Sequence, residues 1–140
     1  VDTFLVALAY SGCPEAEWVI TDKVQRLQND AEFSHFRAVA LAVEAFPVPE
    51  VAPELEAFLD APRIQGAAKN SLKTALANVP AHKGDTSERN QELTEIHLAR
   101  ALVACGDPNG RGREVLEAYA KDLHGHYARH ARAILARISG

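Results

Sequence analysis

Apolar residues recur along this chain at helical spacing, in runs separated by short breakers rich in Gly, Pro, Asp and Asn. The run VDTFLVALAY stops at SGCP, and EAEWVITDKVQRL opens after Pro14, with Trp18, Val24 and Leu27 near helical spacing. NDAEF follows, where Asn29 or Asp30 suits an N-cap. FSHFRAVALAVEAF is apolar over more than half its circumference, which predicts a helix buried on several sides. PVPEVAP ends it, because prolines cannot continue a helix and push the residues before them to extended forms.

PELEAFLDAP predicts a short helix opened by Pro53, with Leu55, Phe58 and Leu59 on one stripe. Ile64, Ala68, Leu72 and Leu76 in RIQGAAKNSLKTALANV give a narrow apolar seam and predict a helix over 63–79 that Pro80 ends. Residues 80–90, PAHKGDTSERN, form the one strongly polar loop. Asp85 and Glu88 there stand in capping-box spacing ahead of SERNQELTEIHLARALVACG, whose Leu98, Ala101, Leu102 and Cys105 share a face. GDPNG turns the chain, then REVLEAYAKD, LHG and a last helix, HYARHARAILARI. No stretch alternates as a strand does, so the pattern predicts an all-α domain spanning 1–140. Abundant Ala and few aromatic residues agree with helices packed closely on helices.

The pattern also repeats. Ala7, Leu8, Gly12 and Pro14 recur at one constant offset as Ala101, Leu102, Gly106 and Pro108. Arg37 and Arg129 both stand near the start of a second helix. Leu55, Ala57 and Phe58 line up with Leu116, Ala118 and Tyr119, and Asp60 with Asp122 if one residue is allowed. The unit is a short helix, an Asp-containing turn and an Ala-rich second helix, which buries its apolar stripe only when stacked on copies of itself. ARALVACGDPNGRGREVLEAYAKDLHGHYARHARAIL resembles HEAT-like repeats of the phycobilisome-lyase type, well over 92–138 and less closely over 1–79. The resemblance implies a right-handed α-α superhelix, a HEAT-like solenoid of about seven or eight helices. The same segment is similar to the helical C-terminal extension of some bacterial FAD-dependent oxidoreductases. That likeness implies catalytic residues upstream, since no dinucleotide-binding G-x-G-x-x-G follows a strand here.

A formal charge of -4 argues against broad nucleic-acid binding, although the last thirty positions are locally basic. Cys13 and Cys105 are too far apart in sequence for a C-x-x-C site and form no disulfide framework. No stretch reaches transmembrane length and no signal peptide is visible. The chain opens inside an apolar run and contains no Met, from which a domain of a longer protein is expected.

Candidate chemistry is thin. His126 and His130, four apart, with Asp122 in the preceding turn, form a minimal metal-binding pattern beside His124. The residues between the two histidines are Tyr127, Ala128 and Arg129, so the glutamate of H-E-x-x-H is missing and a cation replaces it. The repeat explains the segment without metal, and no bound metal or cofactor is expected. His97 and Glu95 are two apart and point to different helix faces, so they make no dyad. No nucleophile elbow, phosphate loop or carboxylate pair appears, and no catalytic residue is assigned. The expectation is a non-enzymatic interaction or scaffold module that meets a protein or another domain of its own chain. It should touch neither nucleic acid nor membrane. Its contact residues are predicted to be Arg111, Arg113, His126, Arg129 and Arg132, together with the loop from Lys83 to Asn90.

Overall fold

Helices form where the apolar runs lie, and several of them end at a glycine or proline. The computed structural model describes residues 2–77 and 84–140. It contains α1 (Asp2–Ser11), α2 (Glu15–Arg26), α3 (Phe33–Ala45), a 3-10 turn (Pro49–Val51) and α4 (Ala52–Leu59). Then come α5 (Leu72–Ala77), α6 (Ser87–Ala104), α7 (Arg111–Tyr119) and α8 (Gly125–Ser139). No strand occurs among the described residues, so the protein is all-α. Gly12 and Gly106 stand in the same left-handed conformation after α1 and α6, with φ of 69° and 94°. An L side chain is strained there, which is why glycine stops both helices.

The helices pack in pairs: α1 on α3, α3 on α6, α6 on α4 and α7, and α7 on α8, while α2 covers α1 and α3. Val39, Ala40 and Val43 of α3 and Leu98, Ala99 and Leu102 of α6 are fully enclosed. Small residues at these positions let the two backbones approach. Gly112 marks the closest approach: a Cβ there would stand 2.8 Å from the Ala99 carbonyl oxygen, so α7 lies on α6 only with glycine at 112. Tyr127 meets Tyr119 edge-on, with ring centroids 6.0 Å apart, and Ala131 is buried in the α7–α8 contact. Ala128 is buried on the same side, while Ala133 and Ala136 face solvent.

Three local expectations are corrected. Trp18 is 70% exposed, because the inward face of α2 is Ala16, Ile20 and Val24. The helix predicted over 63–79 is described only as Leu72–Ala77, with 78–79 outside the described residues. Ile64 is buried while Leu72 and Leu76 are 68% and 64% exposed, so the four residues share no seam. Gly66, at φ 75°, bends the chain, and the backbone N–H groups of Gly66, Ala67 and Lys69 donate to carboxylates from distant helices. Those partners replace the i−4 carbonyls that a helix would need. The capping box also differs. Asp85 accepts from Ser87 N at 2.9 Å in a tight local turn, and Glu88 turns away to Lys69. Of the polar loop, 80–83 lies outside the described residues and 87–90 already belongs to α6.

Candidate functional site

Helix α6 carries two polar stripes with opposite fates. Glu88, Glu92 and Glu95 point toward the irregular segment 64–70. Lys69, 5% exposed, makes a close ion pair with Glu88 and donates to Glu92 Oε1 at 3.1 Å. Its backbone N–H donates to Asp122 Oδ2 at 2.6 Å, and its carbonyl accepts from Leu123 N at 2.7 Å. Glu95 accepts from Gly66 N at 2.8 Å, Ala67 N at 3.0 Å and the Tyr119 hydroxyl at 2.7 Å. Burial holds the Glu95 carboxyl above its ordinary range despite those three donors. Burial first, and then the Glu95 charge, pushes the Tyr119 phenol up. Tyr127 is raised to about 12 by burial and then by the charge of Glu92. These groups satisfy one another, and the seam they build holds segment 64–70 against α6 and the α7–α8 turn.

The second stripe, His97 and Arg100, is half-buried between α3 and α8. Arg100 donates to Glu44 Oε2 of α3 at 2.7 Å and to His130 Nε2 of α8 at 2.8 Å. A guanidinium only donates, so His130 Nε2 is the acceptor and its proton sits on Nδ1. Burial, Arg100 and Arg137 all hold His130 below its ordinary pKa. His97, one turn before Arg100, is pushed down to about 4 by burial, then by Arg100 and Arg37. Its Nδ1 is enclosed with no hydrogen-bond partner, and its ring lies 6.2 Å from that of Phe33. Arg37 and Arg137 make no close ion pair with a described carboxylate, although the Arg137 charge acts on Glu44 and counters the upward push of burial on its carboxyl. On α3 the outward positions are Ser34, Arg37, Leu41 and Glu44, and between them and α1 runs a groove lined by Thr3, Val6, Ala7, Ala38 and Leu41. One face therefore passes from an apolar groove at α1–α3 to a basic strip across α3, α6 and α8.

The residues singled out from sequence scatter around this face. Asp122 is buried, its carboxylate occupied by Lys69 N, His124 N and His124 Nδ1. His126 lies against Tyr127 and His124, and His130 is held by Arg100, so the structure does not assemble Asp122, His126 and His130 into one ligand set. Among the described residues no group of His, Cys, Asp and Glu is disposed to hold a metal ion. Arg111 pairs with Asp60 and Glu114, Arg113 reaches Ser139, and Arg132 donates to the Ala120 carbonyl at the end of α7. Arg129 is exposed. Of the five predicted contact residues only His126 continues the stripe of His130, Ala133 and Arg137 along α8. Lys83 lies outside the described residues.

Sequence reasoning missed Arg37, Arg100 and Arg137 as neighbours. Arg100 stands three residues after His97, and Arg137 seven after His130, spacings that put each pair on one helix face. That three helices present these faces together is a tertiary fact. No helix among the described residues is long and apolar enough to cross a membrane. No protein-family model, curated protein or solved structure matches the chain.

Proposed function

We propose that the chain is a non-enzymatic helical-repeat module, stacked in the HEAT-like manner, that presents the α1–α3–α6–α8 face to a protein surface. The partner is either a separate chain or another domain joined to this one. The observation that carries the reading is the contrast on α6. Its carboxylates are consumed by the fold, while the groove beside Leu41 and the arginines flanking Arg100, Arg37 and Arg137, are open to solvent. A contiguous apolar groove rimmed by charge is the kind of surface that protein contacts use. The shared left-handed glycines after α1 and α6 support the repeat.

A photo-crosslinking residue at Leu41, in the natural full-length chain in its own cells, tests this. A discrete crosslinked product is expected from Leu41 and not from Glu117, which is exposed on α7. An intramolecular product identifies a joined domain, such as the oxidoreductase arrangement, and an intermolecular one a separate partner. Equal labelling from both positions, or none from Leu41, overturns the reading.

A further inference from the structure

We infer that the segment this face accepts is an acidic amphipathic helix, its apolar side in the α1–α3 groove and its carboxylates on the basic strip. The inference rests on the interaction reading above and adds the chemistry of the partner.

The groove is an open furrow of about 440 Å³. Its walls are two helices, with Val6 and Ala7 on one side and Ala38 and Leu41 on the other. Short side chains of this kind leave a furrow into which the ridge of a third helix fits. Among the described residues there is no strand, so no sheet edge is offered to an extended peptide. Phe4 and Tyr10, at opposite ends of α1, are also exposed, 68% and 71%. The geometry favours a helix as occupant.

Charge fixes which helix. The chain is acidic as a whole, with 15 Lys and Arg against 19 Asp and Glu, yet this face gathers Arg37, Arg100 and Arg137. Glu44, the carboxylate in contact with the strip, is already held by Arg100. Arg37 both lines the groove and stands close enough to act on His97, so it is the hinge between the apolar and basic parts of the surface. A partner helix with leucines along one side and glutamates along its flank meets both at once. A nucleic acid is disfavoured on the same observations. Its affinity comes from many phosphate contacts along a basic track, and it has no use for an apolar groove.

The test uses fluorescence anisotropy with a synthetic helix of about four turns, carrying leucines on one face and glutamates on the flanks. Its twin replaces glutamate by lysine, and a single-stranded oligonucleotide serves as a third probe. The glutamate peptide is expected to bind, with affinity that falls as salt is raised. Arg37→Glu and Arg137→Glu, both at exposed positions, should each weaken it by roughly fivefold, and the double variant by more. Circular dichroism confirms that each variant keeps its helices. The inference is overturned if the lysine twin or the oligonucleotide binds as tightly, if the reversals leave affinity unchanged, or if the folded protein binds none of the probes. Any of these results alongside a surviving crosslink at Leu41 sinks the acidic helix and leaves the interaction module standing. Loss of the crosslink sinks both.

Discussion

The first polar stripe of α6 ends at Glu95, two residues before the second begins at His97, yet the two are in opposite states. Glu88, Glu92 and Glu95 are matched by Lys69, by backbone N–H groups and by Tyr119, all from this chain. Arg100 is held by Glu44 and His130, His97 Nδ1 is enclosed without a partner, and Arg37 and Arg137 beside them are exposed. The difference separates charges that hold the fold from charges available to something else. A buried ion that loses its partner is costly, while an exposed one loses little.

The largest effect is expected at Lys69. Lys69→Met leaves Glu88 and Glu92 without a cation and should cost about 3–5 kcal/mol in urea unfolding, with much of it restored when Glu92→Leu is added. A single variant as stable as the parent would break the distinction between the stripes. Next comes pH. The depressed pKa of His97, about 4 against 6.5 when unfolded, means that the unfolded chain binds the extra proton between those values. Stability from His97 is complete above about pH 6.5 and is lost as pH falls toward 4. With partial solvent screening this amounts to about 2 kcal/mol. Glu95 and Glu44 act in the opposite sense, since burial raises their pKa and the folded state then keeps protons longer. The measurement is therefore a difference: the loss of stability between neutral and mildly acidic buffer should be smaller in His97→Gln than in the parent. An identical pH profile would show that the imidazole is not confined.

Smaller still is Arg100→Leu, which frees a half-buried Glu44 and should lower stability by about 1 kcal/mol in chemical denaturation. The smallest is Arg37→Glu, expected to change stability by less than about 0.5 kcal/mol while affecting binding. A large loss of melting temperature there would place Arg37 among the structural charges and narrow the free face to α6 and α8.

Much of the helix content was legible because it depends on local pattern. Runs such as 33–46 and 87–106 carry apolar residues at helical spacing and end at Pro or Gly, and α3 and α6 follow them closely. The helix over 63–79 was misread for a non-local reason. Its N–H groups are taken by Glu95 and Asp122, which no window around Gly66 contains. The candidate site was illegible for the same cause. Arg37, Arg100 and Arg137 belong to three separate helices, and only packing brings them to one face. The histidine cluster drew notice through density in sequence, yet its members go three ways: His124 to Asp122, His126 to Tyr127 and His130 to Arg100.

Segment 64–70 has a consequence for how the molecule opens. The amides of Gly66, Ala67 and Lys69 lie in a stretch without regular structure, yet their acceptors come from positions 28 to 53 residues away. Their hydrogens should exchange with solvent as slowly as those of the helical interior, because release requires α6 and the α7–α8 turn to part first. Three loop amides thus report on the cooperative unfolding of the carboxyl-terminal half, and deuterium uptake at these sites should rise and fall with that of Leu116 and Tyr119.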